Sequence, residues 1–350
     1  MNDALIHAIA SAIVRLSRRR APGDPAYEDG VQQAYNQLVL YCLQHGEEPP
    51  ASVPDLVRRV AGTPLGEAGY LVDAATCTPT QTCLEWARDA ANVQAELFEN
   101  AVIEEALAAC RSARAPESYT AFRRLLISKP VLTAAELAAL AGDIDLVPVL
   151  ETVRKCYEPA PAAYRRDGAY QACGRCGCLL VPLSTGGYRC ELDRCRADRA
   201  AVPVQEVPAN LGVQQLRRPL RVFITSPGIA EIDLEARLRK LGLVPQMWPG
   251  FDAYDLRVLF PGGPVWAVDV KDWANPALLG KSITAGLRAD PPYDKAFIVI
   301  PEYRFKVRED YARVVRHHLA DDLCDRIEVC SDTAFIRQAR REARREDAHA

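Results

Sequence analysis

The sequence lacks several features that mark specialised classes of protein. It contains no run of about 18 uninterrupted apolar residues, the length needed to cross a membrane as a helix. Its formal net charge is only −3, from 43 basic and 46 acidic residues, which excludes a histone-like protein whose whole surface binds polyanions. With 350 residues, 49% of them hydrophobic, the chain is typical of a globular protein of two or three domains.

The chain also lacks the pattern of an export signal. Residues 4–16 are apolar at helical spacing, but the basic cluster at 18–20 follows this stretch instead of preceding it. The stretch therefore predicts an amphipathic first helix, and we expect a cytoplasmic protein. In that compartment thiols stay reduced, so closely spaced cysteines among the 12 in the chain indicate a metal site more than disulfides.

Hydrophobic periodicity predicts a multidomain α+β protein with a helical N-terminal region. Residues 31–43 and 84–110 have apolar positions three and four apart, as in amphipathic helices. We place a helical domain at 1–115 and a second helical unit at 116–170. The second contains three short helices, at 119–127, 134–141 and 146–157, which form either part of a helical bundle or a helix-turn-helix or winged-helix unit. Thr133 and Glu136 have the spacing of a capping box before the middle helix.

The C-terminal region has an alternating pattern of strands and helices that predicts an α/β domain with a mixed sheet at 215–345. A linker at 200–210 leads to a strand at 221–225 and a helix at 229–241. A hairpin follows, with strands at 255–260 and 265–271 around the turn at 261–264. The remaining elements are a helix at 276–287, a strand at 296–300, a helix at 308–323, a strand at 326–330 and a closing helix from Thr333.

Two cysteine pairs lie between these regions, in residues 171–200. Cys173 and Cys176 form one pair and Cys190 and Cys195 the other, joined by a glycine-containing hairpin at 179–189. Four thiolates that converge in this way are typical of a structural Zn²⁺ site, and the segment resembles a zinc ribbon. The second pair has four intervening residues where two are commoner, and Cys178 is a spare thiol that remains an alternative ligand.

Lysine is scarce, since only 7 of the 43 basic residues are lysine and 36 are arginine. A single lysine follows an acid at the spacing acid-x-Lys, in Asp269-Val270-Lys271. Alternation along a strand places Asp269 and Lys271 on one face. A four-residue turn would pair Phe260 with Val265 and set Asp255 opposite Val270, close to this pair.

An acid on the preceding helix completes the set of charged groups. Glu231 lies at the edge of the apolar stripe formed by Leu234, Leu238 and Leu241, so we expect it to face the sheet. Glu235, one turn later, is the alternative helix acid. The order of a helix acid, a strand Asp and Asp-x-Lys resembles the PD-(D/E)xK, restriction-endonuclease-like nucleases over residues 215–340. Asp252, closer to Pro249, is the alternative to Asp255 for the first strand acid.

This resemblance implies metal-dependent hydrolysis of phosphodiester bonds in DNA. Glu231, Asp255 and Asp269 would bind Mg²⁺ or Mn²⁺, with the Val270 carbonyl as a further oxygen ligand. Lys271 would orient the attacking water, assist its deprotonation or stabilise the developing charge. Unlike arginine, lysine has a compact charge on a flexible stem and a pKa that shifts readily.

The run at 248–256 before Val268-Asp-Val-Lys-Asp272, with the zinc ribbon and helical half, looks like the nuclease of prokaryotic PIWI (pPIWI-RE) defence modules. That resemblance implies defence against invading DNA together with an Argonaute-like PIWI protein and a helicase. A homodimer would suit a double-strand cut, and the sequence leaves the oligomeric state open. The alternative function is a non-catalytic DNA-binding or scaffolding subunit that uses an endonuclease-like fold.

Overall fold

The computed structural model describes residues 1–17, 27–65, 68–89, 96–197, 203–261 and 263–347. The predicted basic cluster at 18–20 lies outside these ranges. No helix within them is both long and apolar enough to cross a membrane. The chain divides into two compact units. The first comprises Met1–Phe98, Pro182–Arg189 and Trp273–Leu278, and the second comprises Glu99–Val181, Cys190–Asp272 and Leu279–Ala350.

The first unit is mainly helical, as the N-terminal periodicity predicts. Its helices are α1 (Asp3–Leu16), α2 (Asp29–His45), α3 (Val53–Gly62) and α4 (Gln81–Asp89), with a hairpin of β1 (Val72–Asp73) and β2 (Thr78–Pro79). The predicted amphipathic first helix is confirmed as α1, which begins at the cap Asn2. The apolar faces of these elements form one core that includes Ile9, Leu38, Val60, Leu71 and Trp86.

The second unit begins with helices that agree with the predicted group of three. After α5 (Glu96–Ala113) come α6 (Pro116–Ser128), β3 (Val131–Leu132), α7 (Ala134–Ala139), a 3₁₀ segment at Ile144–Val149, α8 (Leu150–Cys156) and β4 (Tyr157–Pro159). The capping box before α7 is confirmed. Glu136 N donates to Thr133 Oγ1 at 3.2 Å, and Thr133 N donates to the Glu136 carboxylate at 2.8 Å.

The cysteine-rich segment is built from short strands. It contains β5 (Ala169–Cys173), the hairpin strands β6 (Val181–Pro182) and β7 (Tyr188–Arg189), α9 (Asp193–Arg196), β8 (Val204–Pro208) and β9 (Gln214–Leu216). β8 pairs antiparallel with β5, and β9 lies between β3 and β4. The prediction of a loose linker at 200–210 is therefore wrong for 204–208. Because β8 is largely exposed and held by backbone pairing, it has no hydrophobic alternation to reveal it.

The remainder of the second unit follows the predicted α/β order, apart from one wrong strand, additional short elements and a division of the helix predicted at 308–323. Its elements are α10 (Arg218–Leu220), a π-helical turn at Arg221–Thr225, α11 (Ser226–Arg239), β10 (Gln246–Met247), a short turn α12 (Pro249–Asp252), β11 (Leu256–Leu259), β12 (Val265–Val270), α13 (Pro276–Ser282), β13 (Lys295–Ile300), α14 (Glu302–Val307), α15 (Tyr311–His318), α16 (Asp321–Cys324), β14 (Ile327–Ser331) and α17 (Asp332–Asp347). The predicted strand at 221–225 is wrong. Thr225 Oγ1 donates to the Leu126 carbonyl at 2.9 Å, so tertiary contact with α6 overrides the β-forming side chains here.

The predicted mixed sheet is confirmed, with strand order β10-β11-β12-β13-β14. The first three strands are antiparallel and the last three parallel. Its buried face packs against α11 and α17 through a core that includes Leu234, Leu238, Trp266, Phe297 and Phe335. The apolar stripe predicted on the α11 helix therefore does face the sheet.

The hairpin of β11 and β12 differs from the predicted register by one residue. Leu259, and not Phe260, is the partner of Val265, and Leu256 is the partner of Val268. Phe260 belongs to the turn, where Gly263 N donates to its carbonyl at 3.1 Å. The hairpin loop is thus one residue longer than the four-residue turn that the prediction assumed. Continuing the register past the end of β11 sets Asp255 opposite Asp269 instead of Val270.

Candidate active site and cysteine cluster

The four predicted zinc ligands lie together in the second unit. The Sγ atoms of Cys173, Cys176, Cys190 and Cys195 lie within 4.8 Å of one another, and all four residues are buried. Gly177 has φ +75°, and its amide donates to the Cys173 carbonyl at 2.7 Å, so a residue without a side chain closes the first turn. This group could hold a metal ion, and its soft thiolates suit Zn²⁺.

Cys178, the alternative ligand, lies outside the group of four converging thiols. It is fully buried, and its backbone carbonyl accepts a hydrogen bond from the Cys173 amide at 2.8 Å. The convergent group found among the described residues contains the other four thiols without it. Four thiolates complete a tetrahedral shell, which leaves no open position for a substrate.

The predicted Asp-x-Lys pair lies at the end of β12, where the chain leaves the sheet. Lys271 Nζ is 2.9 Å from Asp269 Oδ2, and both side chains are partly exposed. Alternation along the strand therefore places them on one face, as expected. The Lys271 amide donates to the Val299 carbonyl at 2.9 Å, which holds this end against β13.

Asp255 lies next to this pair. Its Oδ2 accepts a hydrogen bond from the Val270 amide at 2.6 Å, and the residue is buried. Burial, followed by the charges of Glu231 and Asp269, raises the pKa of Asp255 well above its ordinary value, although Lys271 opposes the shift. A carboxyl group in this position favours either a proton or a nearby cation.

Glu231 faces the same cluster from α11. Arg123 on α6 donates through one nitrogen to both carboxylate oxygens at 3.1 Å, and Trp248 Nε1 donates to Oε2 at 2.6 Å. Burial raises the pKa of Glu231, against the charge of Arg123. Glu235, the alternative helix acid, pairs instead with Arg124 at 2.9 Å and Arg239 at 3.0 Å.

Asp252, the alternative strand acid, lies on a strained turn beside these groups. Trp248, Phe251 and Asp252 have φ values of +47°, +57° and +66°, in the left-handed region that side chains with a Cβ rarely adopt. The hydroxyl of Tyr119 donates to Asp252 Oδ2, and the charge of Asp252 raises the pKa of Asp255. Backbone strain of this kind is commonly stored at functional sites.

The carboxylates are neighbours without forming a closed cage. Within the described ranges, the cysteine group alone brings three or more candidate ligand atoms within 4.8 Å of one another. Glu231, Asp255 and Asp269 are therefore coupled through their charges, but their oxygens do not converge on one point.

Sequence reasoning missed three residues of this cluster, namely Tyr119, Arg123 and Trp248. Tyr119 and Arg123 are four residues apart on α6, so they share a face of that helix. Their spacing was readable, but nothing in the sequence showed that the helix packs against α11. The guanidinium of Arg123 also lies 5.3 Å from the centre of the Trp248 ring.

Two basic groups near the sheet are engaged in ion pairs with acids of the chain. Arg218 and Arg221 both pair with Glu191, the first at 3.0 Å. Arg304 is buried and pairs with Asp272 at 2.7 Å and with Asp193 at 3.0 Å. The charges of these three arginines are therefore compensated by acids of the chain itself.

Comparison with known families matches two regions of the chain. Residues 228–347 match the family model described as REase associating with pPIWI_RE, and residues 5–133 match the model described as pPIWI_RE three-gene island domain Y. No curated protein and no solved structure matches the chain. The first region contains Glu231, Asp255, Asp269 and Lys271, and the second contains Arg123. The resemblance to the PD-(D/E)xK nucleases stays a prediction. The predicted resemblance to the pPIWI-RE modules is confirmed: in these two regions the chain is similar to domains of the pPIWI_RE three-gene island, among them the REase that associates with pPIWI_RE.

Proposed function

We propose that this protein is a Mg²⁺-dependent DNA endonuclease that acts in a prokaryotic defence module against invading DNA. The observation that carries the proposal is the charge of the cluster around Asp255. Four carboxylates, those of Glu231, Asp252, Asp255 and Asp269, adjoin two cations, Arg123 and Lys271. The fully ionised cluster has a formal charge of −2, which a divalent cation would offset.

Asp255 and Asp269 are the carboxylates that would hold Mg²⁺, with the Val270 carbonyl as a further oxygen ligand. A bound divalent cation would neutralise charge on the phosphate and make a bound water more acidic. Glu231 would bind the metal directly or through a water. Its carboxylate would then interact with both the metal and Arg123, which already donates to it. The backbone amide of Val270 holds Asp255 in place for this role.

The surroundings of Lys271 favour two of its three expected roles. Burial lowers the pKa of Lys271, but the adjacent charges of Asp269, Asp255 and Glu231 outweigh that effect and raise it above its ordinary value. The ammonium group therefore remains protonated at neutral pH. It orients the attacking water or stabilises the charge that develops on the phosphate, and a role as general base is disfavoured.

The cysteine cluster would bind Zn²⁺ with a structural role. A segment of this size buries too little apolar surface to fold alone, and metal binding supplies the missing free energy. Partners in this proposal are DNA, an Argonaute-like PIWI protein and a helicase, as the resemblance implies.

A second candidate is a non-catalytic DNA-binding or scaffolding subunit with an endonuclease-like fold. One observation favours it. Arg123 already neutralises Glu231, and the carboxylate oxygens do not converge within the distance found for the cysteine group. In this alternative the acids and Lys271 only stabilise the strand ends.

Cleavage of supercoiled plasmid by purified protein, with Mg²⁺ or Mn²⁺ and with a chelator, tests the proposal. Asp269→Asn and Lys271→Met should lower the rate by about 100-fold or more while circular dichroism stays unchanged. Lys240→Met is the matched control, since Lys240 is exposed at the end of α11 and should leave the rate unchanged.

One result would contradict the proposed active site, and another would contradict the endonuclease. Equal cleavage by wild type and both variants would place the active site elsewhere. DNA binding without cleavage in either metal, also with the PIWI-type partner present, would favour the scaffolding subunit. Calorimetric titration with Mn²⁺ measures the metal site independently of cleavage.

A further inference from the structure

The unusual spacing of the second cysteine pair has a structural explanation. The four residues between Cys190 and Cys195, here termed the insert, are Glu191, Leu192, Asp193 and Arg194. Glu191 pairs with Arg218 and Arg221, Asp193 pairs with Arg304, and Arg194 pairs with Asp233 at 2.8 Å. Each charged residue of the insert therefore binds a group elsewhere in the second unit.

Arg304 links the insert to the candidate active site. Its Nη1 donates to Asp193 Oδ2 at 3.0 Å, its Nε to Asp272 Oδ1 at 2.7 Å and its Nη2 to the Asp272 carbonyl at 3.1 Å. One buried guanidinium thus holds both the side chain and the backbone of Asp272. The planar fork of arginine matches these partners, and the single ammonium of lysine would not.

Asp272 follows Lys271 directly, at the point where the chain leaves β12. The side chain of Asp272 is fully buried and also accepts hydrogen bonds from Ser226 Oγ at 3.0 Å and from the Tyr303 hydroxyl. The side chain and the carbonyl of Asp272 are both held, which anchors the chain directly after Lys271 and so restricts the backbone from which Lys271 projects. The chain of contacts from cysteine cluster to Lys271 runs through Asp193, Arg304 and Asp272.

We propose that Arg304 is a positioning residue that couples metal binding at the cysteine cluster to the conformation of the Asp269-Val270-Lys271 segment. Cys190 and Cys195 flank the insert, so a metal held by these thiols would hold the two ends of the insert together and with them Asp193 against Arg304. Loss of the metal releases Asp193 and weakens the hold of Arg304 on Asp272. The consequence for catalysis rests on the proposed nuclease function, whereas the coupling itself does not.

Amide hydrogen exchange at residues 268–272 tests the coupling without reference to cleavage. Asp193→Asn should accelerate exchange of the Val270 and Lys271 amides by about tenfold, because the charge-assisted bond to Arg304 is lost. Asp233→Asn is the matched control, since it removes the carboxylate partner of Arg194 in the same insert, leaves the bond from Arg194 to the Ser226 carbonyl and does not touch Arg304. Both variants should keep full metal content, measured by the absorption of the Co²⁺-substituted protein.

Metal removal provides the second arm. Stripping the cysteine cluster of wild type should raise exchange at residues 268–272 to the level of Asp193→Asn. Stripping the Asp193→Asn variant should raise it little further, because both changes act through Asp193. Arg304→Met should show the same acceleration of exchange if it folds. If it does not fold, the result for Asp193→Asn decides whether the coupling exists.

Unchanged exchange in Asp193→Asn, equal acceleration in Asp233→Asn, or fully additive effects of the variant and metal removal would each overturn the coupling. If the nuclease is also correct, Asp193→Asn should weaken Mn²⁺ binding at the active site, seen by calorimetry, and slow cleavage. Failure of wild type to bind Mn²⁺ or cut DNA would refute the nuclease while leaving the exchange result to decide the coupling.

Discussion

The ion pair of Arg123 and Glu231 is buried, and burial decides how much the loss of either charge should lower stability. Arg123 and Glu231 are 8% and 2% exposed, whereas the neighbouring Arg124 keeps 39% of its side chain exposed beside Glu235. A buried charge whose partner is removed keeps its desolvation cost without compensation, while a partly exposed pair is largely screened by water. Removal of these two adjacent arginines should therefore change the free energy of unfolding by different amounts.

Replacing these arginines separately tests that difference. Arg123→Met should lower the free energy of unfolding by about 3–5 kcal/mol at neutral pH, since Glu231 loses its cation. Arg124→Met should lower it by less than about 1 kcal/mol, because Arg124 is partly exposed and Glu235 keeps Arg239. Urea denaturation of both variants measures the two values, and similar losses would contradict this account of burial.

The loss of stability in Arg123→Met should depend on pH, because Glu231 is titratable. Burial raises the pKa of Glu231, and Arg123 holds the shift in check. In Arg123→Met the pKa rises further, so the folded state binds a proton that the unfolded state releases, and stability falls as pH increases above about 4.3. The difference between variant and wild type should shrink below that pH, where both states are protonated.

At the scale of elements, the close approach of α6 to α11 assembles the cluster. A Cβ atom built at Gly228 would lie 2.3 Å from Ile127 Cγ1, so only glycine permits this separation of the helices. The contact brings Arg123 to Glu231. Gly228 lies just before the helix predicted at 229–241, so the structure alone shows that it belongs to the first turn of α11 and which partner requires it.

Gly228→Ala tests how much the close packing of α6 on α11 contributes to stability. The added methyl group should push α6 from α11 and cost about 1–3 kcal/mol of stability through overpacking. Gly62→Ala is the control, since Gly62 ends α3 with open space around its Cα and should be neutral or stabilising by about 0.5–1 kcal/mol. Thermal unfolding compares the two, and no loss in Gly228→Ala would mean that the helices adjust freely.

The hairpin shows why element prediction succeeded in order and failed in register. Alternation correctly gave β11 and β12 as strands and put Asp269 and Lys271 on one face. The register depended on the end of β11, where Phe260 is apolar enough for a strand yet belongs to the turn. A shift of one residue changes every opposite pair, and hydrophobic pattern alone does not detect it at a strand end.

At the scale of the whole molecule, the cysteine cluster supports a segment with few other sources of stability. Its strands β6 and β7 have two residues each, and its small apolar cluster includes Tyr170, Leu179 and Val213. Structural zinc in such modules contributes folding free energy directly. Loss of the ion should therefore unfold residues 171–197 before the mixed sheet.

Two alanine variants test both the metal and the identity of its ligands. Cys176→Ala should abolish binding of one Zn²⁺ per chain and expose residues 171–197 to protease. Cys178→Ala should retain the metal, because its thiol lies outside the convergent group. Metal analysis and limited proteolysis distinguish the outcomes. Retention of zinc by Cys176→Ala, or its loss from Cys178→Ala, would assign the ligands differently.

The sequence by itself determined most of the elements and the chemistry that each one contributes. Short-range spacing governs helical stripes, strand alternation and Cys-x-x-Cys turns, so the four thiols and the Asp269 and Lys271 pair were predictable from local rules. Only the tertiary structure decided which helix faces the acids, because the packing of α6 on α11 joins residues 108 positions apart in Arg123 and Glu231. Burial then sets their charge states, since desolvation depends on the surrounding fold and on no local pattern.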